Sequence, residues 1–342
     1  MSAEVIARAR FRVRRRQAAV VGGLVAVLVV LTAVALTLGR GHVSLPDVLS
    51  TVVGQGSRAT DYIVLELKLP RALAAILVGL AFGVSGAVFQ SLLGNPLASP
   101  DVIGISTGAS AAAVFGLAVL GVGGPALSAL ALAGALLTAV VMYLLTWRGG
   151  VTGSRLVLVG VGLAAILLSV VSYLLTRTRV ATAQDALVWL TGSLNGRNWT
   201  QVVPLAVLLA VLLPAVAALA RALGLLTLGD DAAKGLGVAV EPVRLGLLAC
   251  AVLLAGAATA AAGPVAFVAL LAAPIGRRLV RDGGPALVAS GLVGAAVVLG
   301  ADCAAQNLPV DQSYPVGVLT GAVGAPYLLL LLARANRTGK GG

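Results

Sequence analysis

Apolar residues run along this chain in blocks of bilayer length, separated by short polar gaps. The blocks cover about 20–38, 70–92, 102–121, 126–146, 156–175, 201–220, 245–262, 265–279, 285–305 and 315–333. A helix rises about 1.5 Å per residue, so roughly 20 apolar residues cross a hydrocarbon core. The pattern predicts an all-α membrane protein of about ten transmembrane helices. The eighth block is short, contains Pro274 and is expected to form a kinked span. The chain divides into a basic N-terminus (1–17), a transmembrane domain (18–333) and a short tail (334–342).

The gaps carry their own signals. Ser44-Leu45-Pro46-Asp47 looks like a helix start, with Ser44 as cap and Pro46 in the first turn. Residues 177–200 are amphipathic and polar by turns, and hold Trp189, Gly192 and Trp199. They predict a short interfacial helix with its aromatic rings at headgroup depth. Residues 221–244 are the longest hydrophilic stretch of the second half. Within them, Leu228 to Gly237 reads as two short helices meeting at a glycine turn. Asp230 and Asp231 would start the first, where the helix dipole favours negative charge.

Composition agrees. Of the 342 residues, 59% are hydrophobic and 11% charged, against about 25% charged in soluble domains. The net charge of +12 does not point to nucleic acid, because the basic residues sit in the gaps. With ten spans and the N-terminus inside, 17 of the 24 Lys and Arg fall on the cytoplasmic side. That bias is the usual topology signal, and it puts both termini in the cytoplasm of a cell whose inner membrane the chain crosses. The arginines from Arg8 to Arg16 belong to this signal, with contact to anionic lipid as a second role open to them. The first block is long for a signal peptide, and Thr37-Leu38-Gly39-Arg40 offers no cleavage site.

Catalytic patterns are missing. His42 is the single histidine, and Gly339-Lys340 lacks the rest of a nucleotide-binding loop. Gly160-x-Gly162-x-x-Ala165 matches a dinucleotide fingerprint only formally, inside an apolar block with no strand before it. Cys250 and Cys303 read as packing residues. No enzyme activity and no cofactor is expected. Two acids, Asp101 and Asp302, fall near the ends of spans, and no set of facing acids suggests a proton relay.

One stretch is more specific than any of this. Residues 69–113 form an apolar block, a turn with two prolines, and a second apolar block. Gly79, Gly83 and Gly86 on the first and Gly104, Gly108 and Ala109 on the second suit close helix packing. Leu69-Pro70-Arg71, Gly86, Gln90, Asn95-Pro96-Leu97-Ala98, Pro100 and Gly104-Ile105-Ser106 together resemble the signature of the FecCD family. Its members are permease subunits of ABC importers for ferric siderophores, haem and vitamin B12. Gly263-Pro264 with Pro274 and Arg277, Gly294 to Asp302, and Pro315-Val316-Gly317-Val318 with Gly324-Ala325-Pro326-Tyr327 match its later segments.

The resemblance implies a type II ABC importer permease fold, with several partners. Two separate ATPase subunits would dock on the 221–244 loop through Gly229, Asp230, Asp231, Ala233, Lys234, Leu236 and Gly237. A second permease chain, the same or a paralogue, would complete the path. Asn95, Pro96 and Leu97 would stand at its cytoplasmic gate, with Ser154 nearby. An extracytoplasmic binding protein would deliver the cargo to basic residues at the outer mouth. Lys68 and Arg71 occupy two such positions, with anchoring at the head of the span as the alternative. Gln306 replaces a basic residue at a third, so Arg58 or Arg197 would have to contribute. Pro274 is followed by Ile275 where the family has His. This and Ala98-Ser99-Pro100 look most like ferric-enterobactin-type permeases, which favours an iron(III)-siderophore over haem or vitamin B12. The competing class is a secondary transporter or channel that needs no ATPase.

Overall fold

The computed structural model describes residues 3–39, 41–147, 153–308 and 314–338, which are helical apart from short turns. In order the helices are α1 (Ala3–Thr37), α2 (Leu45–Val52), α3 (Arg58–Asp61), α4 (Leu69–Leu92), α5 (Ile105–Phe115), α6 (Gly124–Thr146) and α7 (Gly153–Arg177). Then follow α8 (Val180–Leu190), α9 (Trp199–Leu226), α10 (Asp230–Gly235), α11 (Val240–Ala262), α12 (Val268–Val280), α13 (Leu287–Asn307) and α14 (Val316–Thr338). Two π-helical stretches, Tyr62–Lys68 and Gly116–Leu120, continue into α4 and out of α5.

All ten apolar blocks are helices. Among the described residues seven helical runs are long and apolar enough to cross a bilayer. Ile105–Leu120 and Val316–Leu330 are shorter. The eighth block, α12, has 13 residues, about 20 Å at 1.5 Å each, and begins inside the protein, since Val265 and Val268 are fully buried. It is held by Gln90, whose Nε2 donates to the carbonyl of Leu270 at 3.1 Å. Arg277 in turn donates to the Gln90 Oε1.

Three expectations change. The second span does not begin at residue 70. Helix continues back through Tyr62–Lys68 to Arg58, because Val64 packs into a small core with Leu36, Val43 and Val48. Leu228 to Gly237 forms one short helix, not two: the next helix, α11, starts at Val240. The expected short helix exists as α8, but Trp189 at its end is buried inside the protein. The Ser44 start acts as expected, and a capping box not anticipated from sequence opens α9. The Ser44 hydroxyl accepts the Asp47 N–H, and Asn198 and Gln201 form a reciprocal capping box at the start of α9.

α4 is the central post. It packs against α9, α11, α12 and α13, and most of its side chains from Val78 to Gln90 are buried. Gly79 and Gly83 lie directly on the backbone of α13 at Gly294 and Ser290, leaving no room for a Cβ. Small residues allow such close approach, and van der Waals contact replaces the hydrophobic drive that lipid cannot supply. Gly108 and Gly134 join α5 to α6 in the same way. A further knot sits where α8, the α11–α12 turn and α14 meet. Gly192, Gly263 and Gly317 bring their backbones into contact, and the Gly317 N–H donates to the Gly192 carbonyl at 3.1 Å.

Candidate functional site

α10 is a short helix held at both ends. Gly229 precedes it with φ +102 and ψ 154, a region that excludes side chains. At the other end the Val238 N–H bonds to the Ala233 carbonyl, and the Gly237 N–H to that of Lys234. These two bonds, with Gly237 at φ +83, make a complete Schellman cap. Ala233 is buried and Val238 packs on the same core. Asp230 is fixed by Arg244 at 2.6 Å, and Arg244 also reaches Glu241 at 3.0 Å. Asp231 and Lys234 stay exposed at 3.9 Å from each other. Two apolar side chains, Leu228 and Leu236, project at 64% and 61% exposure. α10 is thus a pinned helix flanked by two exposed leucines.

The turn between α4 and α5 folds on itself. The Asn95 Oδ1 accepts the Leu97 N–H at 2.9 Å, and the Asn95 carbonyl accepts from Ala98 at 3.1 Å. Asn95 and Pro96 are exposed, while Leu97 is half-buried. Ser154 falls in the first turn of α7, and its side chain lies outside the described residues. Gly104, with φ +91, and Gly160 let the turn seat against α7. Beside this turn opens a cleft of about 460 Å3, reached by Ser99, Asp101, Ser106 and Ser110 on one side and by Phe267 and Leu328 on the other. Asp101 takes a hydrogen bond from the Ser106 hydroxyl through Oδ1. Its Oδ2 is buried without a partner. Burial pushes this carboxyl up to about 6, with the Ser106 bond opposing the shift. Next to the cleft, α7 and α14 turn apolar side chains outward, including Leu158, Ile166, Val323 and Leu329.

The four expected docking residues separate. Lys68 is buried at 8% exposure, and its Nζ donates to the carbonyls of Leu36 and Leu38, both at 3.0 Å. It closes the open end of α1, where carbonyls lack intrahelical donors. Arg71 forks onto Asp302, with Nη2 at 2.8 Å from Oδ1 and Nε at 3.0 Å from Oδ2. Gln306 completes the group, its Nε2 donating to Oδ2 at 2.7 Å. Lys68 and Arg71 are therefore committed inside the molecule. Arg197 is half-buried, its Nε on the Ser193 carbonyl, and burial lowers its pKa. Arg58 is exposed and, among the described residues, makes no ion pair.

Sequence reading missed Arg244 as the anchor of α10, since nothing in a span of 14 residues marks Asp230 as its partner. From sequence Asp101 is an acid near the end of a span; its place in the wall of the cleft comes from the fold of the α4–α5 turn.

A model described as the FecCD transport family matches residues 27–334. The chain is 41% identical over 291 residues to the ferric enterobactin transport system permease protein FepG of Escherichia coli, covering 85% of this chain and 88% of that one. It is likewise 41% identical over 315 residues to the achromobactin transport system permease protein CbrC of Dickeya dadantii, covering 90% of each. A solved metal-chelate type ABC transporter in an inward-facing conformation superposes with a TM-score of 0.80 at 27% identity, covering 92% of this chain and 98% of that one.

Proposed function

The chain belongs to the FecCD transport family and is a multi-pass permease of the ABC-importer kind; from that premise we propose how it is assembled and what it carries. The cargo is an iron(III)-siderophore complex, taken across the cytoplasmic membrane. Relatives named for ferric enterobactin, achromobactin and Fe(3+)-citrate support that choice over haem or vitamin B12. ATP is hydrolysed on two separate subunits that receive α10 in a groove. The observation that carries this reading is the pinned α10 knob with its exposed Leu228 and Leu236. A second permease chain covers the apolar faces of α7 and α14 beside the Asp101 cleft, and Asn95, Pro96, Leu97 and Ser154 form the gate. Both termini lie in the cytoplasm, following the distribution of 17 of 24 basic residues. The extracytoplasmic binding protein docks on Arg58, with Arg197 at the margin. Lys68 and Arg71 act by holding the outer ends of α1, α4 and α13 in place.

A self-sufficient carrier would have no use for such a knob. Deleting Asp230 to Gly237 separates the two: the importer loses uptake and ATPase co-purification, and a self-sufficient carrier keeps flux. A gentle-detergent pull-down should recover a nucleotide-binding subunit. A chain that comes out alone and still transports in liposomes without ATP would refute the proposal.

A further inference from the structure

On the face away from the Asp101 cleft, a trough of about 790 Å3 opens between α1, α4, α9 and α13. Leu80 and Val84 of α4 form its floor, Leu213 and Ala217 of α9 one wall, and Leu287 and Leu292 of α13 the other. Apolar lining is expected on a surface that meets lipid. The polar end is not. There the trough meets Gln17 of α1, Arg221 of α9 and Asp282 of the α12–α13 turn. This is the same end of the bundle as α10, and it adjoins the arginine-rich start of α1.

The acid at this end is engaged inside the protein. The Asp282 Oδ2 accepts from Gln17 Nε2 at 2.5 Å, and Oδ1 accepts from the Gly284 N–H at 2.9 Å. That clasp ties the turn to α1 and uses both carboxylate oxygens. Arg221 is exposed and, among the described residues, makes no ion pair. Arg16 is exposed too, and its Nε donates to the Leu279 carbonyl at 2.9 Å, which draws α1 to the end of α12. Arg278 and Arg281 add exposed charge at that same end of α12.

We propose that this trough is a binding site for one anionic phospholipid of the cytoplasmic leaflet. The acyl chains lie along Leu80, Val84, Leu213 and Leu292. The phosphate meets Arg221 at the mouth, with Arg16 beside it. A basic mouth on an apolar inter-helix cleft at the cytoplasmic end is the arrangement that recognises anionic headgroups. An extended protein segment would find no backbone hydrogen-bond partners among the apolar side chains of α4, α9 and α13, whereas acyl chains need none. The bound lipid joins α1, α9 and α13, of which α1 is otherwise the most lipid-exposed.

Photolabelling tests this. The permease, with the subunits that co-purify, is placed in phosphatidylcholine nanodiscs containing a phosphatidylglycerol whose acyl chain bears a diazirine, or a phosphatidylcholine labelled in the same way. The phosphatidylglycerol probe should label peptides spanning 213–221 and 287–292 several times more strongly than the phosphatidylcholine probe. Arg221→Gln should cut that labelling about fivefold, the worth of one arginine near an anionic surface, and Arg221→Lys should keep most of it. Ala217→Trp should block labelling while leaving the charge. Equal labelling by both probes, or labelling spread evenly around the belt, would overturn the proposal. So would suppression by inorganic phosphate, which would make the mouth a site for the free anion. If Arg221→Gln does not fold, the comparison of the two probes on the unaltered protein still decides.

Discussion

Arg71 holds Asp302 across the α4–α13 contact with two of its nitrogens, and Asp302 is 2% exposed. An acid so placed is costly unless its charge is matched and its oxygens are filled. The fork and the Gln306 amide do both. Arg71, which from sequence suggests a surface for a partner protein, and Gln306, which from sequence is a departure from that surface, work here as parts of one internal polar group.

Asp302→Asn should therefore destabilise the permease by about 3 kcal/mol, because it strands a cation. Arg71→Met combined with Asp302→Leu should recover most of that loss. Thermal unfolding of the single and double variants in detergent decides it. Equal loss in both would mean that packing, and not charge, sets the cost.

Lys68 and Arg58 make opposite predictions. Lys68→Met leaves the end of α1 without its donor and should cost about 1–3 kcal/mol, with no change in affinity for the binding protein. Arg58→Glu should leave stability within about 0.5 kcal/mol and weaken that affinity several-fold. Melting temperature and a binding titration on the same preparations separate the two roles.

Gly237 has φ +83, and its amide closes the α10 cap. Gly237→Val should cost about 1–2 kcal/mol locally and reduce ATPase co-purification and uptake, while the spans stay folded. Arg244→Ala should act in the same direction by releasing Asp230. Full ATPase recovery with both variants would mean that α10 need not be rigid to dock.

The raised pKa of Asp101 fixes the sign of a pH effect. Between about pH 4 and 6 the folded chain keeps a proton that the unfolded chain has released. Stability from this group is thus greatest below that window and falls as pH rises through it. Asp101→Asn should flatten the corresponding slope of melting temperature against pH. Parallel curves for the two proteins would show that the carboxyl is hydrated.

Sequence alone determined the membrane class and the apolar helices, because bilayer length and apolar run length are one-dimensional properties of a chain. The glycines of 69–113 also announced close packing, since small-residue spacing is local. The turn at Asn95 was legible for the same reason. What the tertiary structure decided was partnership. Whether Lys68 faces water or the end of α1 depends on where a helix 30 residues earlier stops. Arg71 and Asp302 are 231 residues apart, and Gln17 and Asp282 are 265 apart. No periodicity or composition encodes such pairings. They follow from how the helices cross; the Arg71–Asp302 pair lies on the crossing where Gly79 and Gly83 of α4 meet the backbone of α13.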